Sequence, residues 1–334
     1  MAREVVLLPG DGIGPEVCAA ARRAVDATGV GVRWVLFEAG VESAARQGST
    51  LPDDAVNAVR QAGAALKGPM GALAGGATPP TVELRRRLDL HAAVRPVLSL
   101  PGVATRYEDV DLVFVRDTSE GQYTGLEHRV TPGMAQSIKV TTDLASMRLA
   151  RFAFSLARSQ GRRRVTVAHK AALLKLTDGL FLECVRHVAR SFPELLLEEM
   201  DADTLCLQLV RDPTRHDVIL AQNLHGRMLA HLGAGLVGGA GVVPGANVGD
   251  GCAVFEPLHG TAPDLAGRGV ANPTAMMRCA VLLLRHLGER DAAEKLDTAL
   301  LSVLRAGRVR TPDVGGHATT QEFTDAVVAV IGAG

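Results

Sequence analysis

The sequence predicts an α/β fold built on a largely parallel sheet, and three observations carry that prediction. Short apolar runs of strand length alternate along the chain with segments of helical periodicity. Each apolar run is followed by a loop holding polar residues, as expected where crossover helices cover both faces of a sheet. The composition, 47% hydrophobic and 22% charged over 334 residues, can supply the core of two domains or one large α/β domain. Aromatic residues make up only 3%, so aliphatic side chains and alanine must fill that core.

Taken in order, Glu4 to Leu8 is the first apolar run, and it ends in Pro9-Gly10-Asp11-Gly12. Pro15 to Thr28 has helical periodicity, with Pro15 suited to a first helical turn. Val32 to Phe37 reads as the next strand, and Val56 to Gly63 as the end of a helix. Asp111 to Val115, Arg164 to Ala168 and Asp217 to Ala221 are further buried-strand candidates. Val309 to His317 is a loop containing glycine and proline, followed by a last helix from Gln321 to Ile331. Ligands of such sheets sit at the carboxyl ends of strands, which directs attention to the loops after Leu8, Val115, Ala168 and Ala221.

Lys plus Arg equals Asp plus Glu at 36 each, which leaves no electrostatic footprint for nucleic acid or an anionic membrane surface. Five scattered cysteines (Cys18, Cys184, Cys206, Cys252 and Cys279) with no CxxC pair read as reduced thiols, and the expected location is cytoplasmic. No signal peptide and no bilayer-length apolar run is read. Gly10-Asp11-Gly12-Ile13-Gly14 lies where a dinucleotide fingerprint would, between strand and helix. Its third glycine position is Pro15, so a tight turn needing glycine conformations is the better reading.

Several blocks carry candidate chemistry. Leu84-Arg85 and Val94-Arg95-Pro96 hold two guanidinium forks, and Val115-Arg116-Asp117 holds a third; such forks bind carboxylates through paired hydrogen bonds. Tyr123 lies in Glu120-Gly121-Gln122-Tyr123-Thr124-Gly125, and Lys170 in His169-Lys170-Ala171-Ala172. Further blocks are Asp203 to Val210, Asn223 to Gly249 and Phe255-Glu256-Pro257-Leu258-His259-Gly260-Thr261-Ala262-Pro263-Asp264, the last continuing to Ala271-Asn272-Pro273. In this order the blocks resemble the isocitrate/isopropylmalate dehydrogenase family, the NAD(P)-linked β-decarboxylating oxidoreductases, nearest to NAD-dependent isocitrate dehydrogenase and its non-catalytic subunits.

The resemblance implies the family's two-domain fold, not a Rossmann fold. It has a discontinuous large domain (1–98 and 246–334) carrying the NAD-binding loop and a small domain (99–245) carrying the dimer interface and the acid–base residues. It implies Arg85, Arg95 and Arg116 as ligands of a di- or tricarboxylate substrate, whereas Arg86 and Arg87 read as surface charges. It implies Tyr123 and Lys170 as the catalytic acid–base pair, with Lys170 serving the neighbouring subunit; a lysine of lowered pKa suits removal of a hydroxyl proton. For the cofactor it implies His259, Gly260, Thr261, Ala262, Asp264 and Asn272. Asp264 can accept from both ribose hydroxyls and repels a 2′-phosphate, which favours NAD over NADP.

Departures from the family pattern are as informative. Magnesium or manganese is held in the family by carboxylates, and Asp203 matches one of them, which the resemblance implies is donated across the dimer interface. The other two, one turn apart on a helix, are replaced here by Arg227 and His231 in Asn223-Leu224-His225-Gly226-Arg227-Met228-Leu229-Ala230-His231. These share a helical face. Arginine cannot ligate a metal, and hard cations need oxygen donors. Arg227 is expected to pair with Asp203 or to grip a substrate carboxylate. Family enzymes have asparagine where Ala172 stands, and the loop Pro69 to Thr81 lacks the serine and asparagine that recognise the distal carboxylate of isocitrate, leaving Thr78 or Thr81 to substitute. Three readings stay open: an NAD-linked dehydrogenase of an isocitrate-like 2-hydroxy acid, a non-catalytic subunit or pseudoenzyme partnered by a metal-competent paralogue, and a metal-independent variant in which Arg227 is the electrophile. A homodimer or a heteromer is the expected assembly.

Overall fold

The computed structural model describes residues 3–73 and 78–333. The chain divides into two units. The first comprises 1–88, 99–106 and 237–334; the second comprises 89–98 and 107–236.

The first unit begins with β1 (Arg3–Leu8), α1 (Gly14–Ala27), β2 (Val32–Leu36), α2 (Val41–Gln47), α3 (Asp53–Ala62), β3 (Ala64–Lys67) and α4 (Pro80–Arg87). The second unit then runs β4 (Ala92–Leu98), β5 (Asp111–Asp117), β6 (Glu127–Thr131), β7 (Met134–Ser137), α5 (Asp143–Ser159), β8 (Arg164–His169), α6 (Thr177–Ala189), β9 (Leu196–Asp201), α7 (Ala202–Arg211), β10 (Val218–Ala221) and α8 (Asn223–Leu236). The first unit resumes with β11 (Ala246–Val248), β12 (Ala253–Phe255), α9 (Thr274–His286), α10 (Arg290–Ala306) and α11 (Thr320–Ala333).

In the first unit the strand order is β2-β1-β3-β12-β11. All pairs are parallel except β11 with β12. Val5, Val6 and Leu8 are fully buried, as expected of a central strand covered on both faces. Gly63 ends α3 in the left-handed conformation with its N–H on the Val59 carbonyl, so the helix stops where the glycine predicts. Gly10 and Gly12 have φ of +73° and +63°. A Cβ on Gly12 would lie 2.0 Å from the Thr261 carbonyl oxygen, and the Ile13 N–H donates to that oxygen at 2.9 Å. The glycine turn after β1 is therefore a close-packing device that supports the segment around Thr261.

In the second unit the order is β4-β5-β10-β8-β9. The pairs β5–β10, β10–β8 and β8–β9 are parallel, as the expectation of a largely parallel sheet requires, while β4 runs antiparallel to β5 along its full length, from Ala92↔Asp117 to Leu98↔Asp111. That pairing also explains why residues 92–98 group with the second unit. β6 and β7 form a separate antiparallel hairpin, exposed at every position. Among the described residues no helix is long and apolar enough to cross a membrane.

Candidate active site

The second unit brings two of the expected residues, Arg116 and Lys170, to one end of its sheet, and strand register explains how. β5, β10 and β8 are parallel neighbours, with Arg116 opposite Ala221 and Ala221 opposite Ala168. Arg116 thus ends its strand beside the residues leading to Asn223 on α8, and beside those leading to Lys170 after β8. Gly226 lets α8 come this close: a Cβ there would lie 2.4 Å from the Arg116 Cβ. The Asn223 carboxamide bridges the junction, accepting from Arg116 Nη1 and donating to the Glu120 carbonyl at 3.0 Å. Arg116 and Arg95 are both buried. Tyr123 is exposed, in a short 3-10 turn bounded by Gly121 and Gly125 in positive-φ conformations. The side chain of Glu120, which accepts from the Thr142 N–H and hydroxyl, is pushed up in pKa by burial.

Lys170 is tied on both ends. Its backbone N–H donates to Asp178 Oδ2 at 2.8 Å. Its ammonium donates to Asp201 Oδ1 at 2.7 Å and to Asp203 Oδ2. Those two hydrogen bonds raise the lysine's pKa, and the bond from Lys170 lowers that of Asp201. This is opposite to the lowered pKa that a waiting base would have. Within this chain Lys170 holds Asp203, for which the sequence had suggested Arg227 as a partner. Arg227 and His231 both lie on the exposed face of α8, with His231 Nδ1 at 2.9 Å from the Arg227 carbonyl. His225, on the same helix, is held neutral to lower pH by burial.

A hard divalent cation does not fit this donor set. One carboxylate is engaged by an ammonium, and the positions that should carry the others hold a guanidinium and an imidazole. Among the described residues no group of three or more His, Cys, Asp or Glu side chains is placed to hold a metal.

The first unit carries the expected cofactor residues and Arg85. His259 Nδ1 lies 3.0 Å from the Gly260 carbonyl, while its Nε2 is enclosed with no hydrogen-bond partner. Burial lowers its pKa. Ala262 adopts a left-handed conformation at φ +40°, unusual without glycine, and precedes the short turn that exposes Asp264. The buried Asn272 donates to Asp313 Oδ2 at 2.9 Å and accepts from the Thr274 N–H at 2.9 Å. An orphaned ring nitrogen, an exposed carboxylate and a fixed carboxamide on one supported loop are the donor set that an adenosine half of NAD requires, so this cofactor fits. Arg85, in contrast, is committed internally. Its Nε donates to Asn247 at 2.9 Å and its Nη2 to Glu256 at 2.5 Å, and Glu256 also pairs with the buried Lys67 at 2.7 Å. Of the altered loop, residues 74–77 lie outside the described residues; Thr78 is exposed and Thr81 half-buried.

Sequence reasoning missed Asp201, Asp178, Lys139, Asn223 and Glu256. Only Asp201 had a local signal, as the N-cap of α7 two residues before Asp203, whose N–H it accepts. The others act through contacts distant in sequence.

The isocitrate/isopropylmalate dehydrogenase family model matches residues 4–327. The chain belongs to that family. An NAD isocitrate dehydrogenase catalytic subunit of Arabidopsis thaliana is 44% identical over 96% of this chain and 86% of the relative. The alpha subunit of the Bos taurus NAD isocitrate dehydrogenase is 42% identical over 97% of this chain and 89% of its own. The crystal structure of isocitrate dehydrogenase from Methylococcus capsulatus superposes with a TM-score of 0.96 at 40% identity, covering 99% of this chain and 100% of that one. The family fold inferred from the motifs is thus the fold observed. The cytoplasmic expectation is corrected by the same comparison: the Arabidopsis, Drosophila, bovine and fission-yeast relatives are all mitochondrial proteins by name. Scattered free cysteines report a reducing environment and cannot tell one reducing compartment from another.

Proposed function

We propose that this family member oxidises and decarboxylates a 2-hydroxy acid resembling isocitrate with NAD, and that it does so without the family's divalent cation. The observation that supports the proposal is a chain that retains the whole His259 to Asp264 loop and sets Arg116, held by Asn223, and Lys170 at the ends of paired strands. On this reading Lys170 is offered to the neighbouring subunit, and that subunit's own copy of it completes this cleft. NAD, when bound, supplies the hydride acceptor, and Asp264 at the ribose favours it over NADP.

Arg95 and Arg116 bind substrate carboxylates. Lys170 takes the hydroxyl proton, and Tyr123 delivers a proton to the enolate left by loss of carbon dioxide. Lys170 cannot accept a proton while Asp201 and Asp203 hold it as an ammonium, so that contact must open and the ammonium must release one proton to solvent before it can take the substrate's hydroxyl proton. Arg227, on the exposed face of α8, supplies the positive charge that the missing cation would have supplied, by pairing with a substrate carboxylate. Arg85, already bound to Glu256 and Asn247, has Nη1 as its remaining nitrogen for a ligand.

A second reading is favoured by that same ion cluster. A lysine locked as an ammonium, beside a substituted metal site, suits a non-catalytic subunit partnered by a metal-competent paralogue. The exposed apolar side chains Leu173, Leu176, Leu207 and Met228 of the second unit support association with another copy or with such a partner.

Calorimetry with isocitrate tests the metal-free site. Affinity should be nearly the same with and without magnesium, and Arg227→Ala should weaken it about tenfold or more. Binding that requires magnesium counts against the proposal.

A further inference from the structure

The Lys170 segment is anchored by a buried ion pair that the chemistry described so far does not use. Asp178 is fully buried in the first turn of α6, yet it does not cap that helix. Its Oδ1 accepts from Lys139 Nζ, and its Oδ2 accepts the Lys170 N–H at 2.8 Å. The side chain of Lys139 is about one-tenth exposed, and its ammonium also donates to Gln222 Oε1 at 2.6 Å. Gln222 donates in turn to the Thr141 hydroxyl at 3.0 Å. One carboxylate and one ammonium therefore join three places: the end of β8 at Lys170, the end of β10 at Gln222, and the segment from Lys139 to Thr141. Gln222 directly precedes Asn223, the residue that holds Arg116.

We propose that Asp178 and Lys139 are positioning residues that fix the Lys170 backbone at the end of β8, and so the place from which its side chain reaches the neighbouring subunit's cleft. The inference rests on the reading of Lys170 as the group that handles the substrate proton. A buried ion pair is weak evidence for stability, since apolar residues of similar volume usually serve at least as well. What such a pair offers here is direction. Asp178 accepts one specific backbone N–H, and Lys139 sets the distance from that N–H to the neighbouring strand end. A lysine side chain has several rotatable bonds, so its ammonium is placed reproducibly only if the backbone beneath it is fixed.

The test uses the full-length protein with Asp178→Asn, Asp178→Glu and the charge-neutral double variant Lys139→Met/Asp178→Asn. Misplacement of a reacting group by about 1 Å can cost on the order of a hundredfold in rate. Turnover of Asp178→Asn should fall about tenfold to a hundredfold, with KM for NAD changed less than about twofold, and Asp178→Glu should recover most of the loss. Amide hydrogen exchange should speed up at His169 to Ala171 in Asp178→Asn and in the double variant, with α5 and β5 as protected as in the unmodified protein. Unchanged exchange at His169 to Ala171 overturns the proposal. So does exchange that rises evenly over the whole second unit, because that marks a general structural role. If the unmodified protein oxidises no hydroxy acid, the catalytic reading of Lys170 fails separately, and the exchange measurement still decides whether the pair positions it.

Discussion

At the scale of single residues, electrostatics links the residue proposed to handle the substrate proton, Lys170, to the carboxylate that matches a family metal ligand, Asp203. Asp203 is the retained carboxylate, and Lys170 is the nearest cation to it. On the proposed metal-free reading, with Arg227 and His231 where acids would stand, no dication competes with Lys170 for Asp203. The lysine therefore stays an ammonium until substrate or movement separates the pair. Resemblance made Arg95, Arg116, Tyr123 and Lys170 legible in the sequence. It could not reveal that Arg85 is engaged by Glu256 or that Lys170 is engaged by Asp201, because both ion pairs depend on where distant strands end. His259 gives a pH prediction. Burial depresses its pKa below the ordinary 6.5, so its contribution to stability is fully present above that value. It is lost as the pH falls from there through the folded-state pKa. Urea midpoints measured from pH 7.5 to pH 5 should decline with acidification, and the decline should be shallower in His259→Gln. His216, His225 and His286, also depressed by burial, contribute in the same direction. An identical slope in the variant contradicts this account of the ring.

At the scale of elements, the second unit's site depends on how closely α8 lies against β5. Two glycines permit that approach. Gly226 lies over the Arg116 Cβ, and a Cβ on Gly233 would come within 2.5 Å of the Phe114 ring. Gly226→Ala should destabilise the protein by about 1–3 kcal/mol through overpacking. It should also weaken substrate binding more than NAD binding, because it displaces Arg116 and not the cofactor loop. Chemical denaturation together with calorimetry for each ligand checks both effects, and unchanged stability would contradict the close contact. Of the strands that sequence made legible, β1, β5, β8 and β10 are largely buried apolar runs and β2 is a half-exposed one. Of those it did not, β3 is a buried run of only four residues, and the rest are of another kind. β4 contains Pro96, β6 and β7 are exposed throughout, β9 ends in acidic residues, and β11 and β12 are only three residues long. None of these carries a periodic apolar signal, and their pairing is decided by neighbours distant in sequence. The same cause hides the antiparallel β4–β5 and β11–β12 pairs within a sheet that is otherwise largely parallel.

At the scale of the whole molecule, the family fold, the retained cofactor loop and the replaced metal carboxylates have to be reconciled in one assembly. The second unit exposes Leu173, Leu176, Leu207 and Met228, with Leu176 reaching 87% exposure, more than an isolated surface leucine needs. Light scattering should therefore find a dimer or larger assembly, and a stable monomer at working concentration would contradict that expectation. The central claim, NAD-linked oxidation of an isocitrate-like acid without a divalent cation, is tested most directly by NADH formation from isocitrate, measured on the purified protein in excess chelator and again with added manganese. The account predicts turnover in chelator that manganese changes by less than about twofold, since a lost metal contribution of several kcal/mol would otherwise appear as orders of magnitude in rate. Turnover abolished by chelator and restored by manganese would contradict it, and so would the absence of turnover under both conditions.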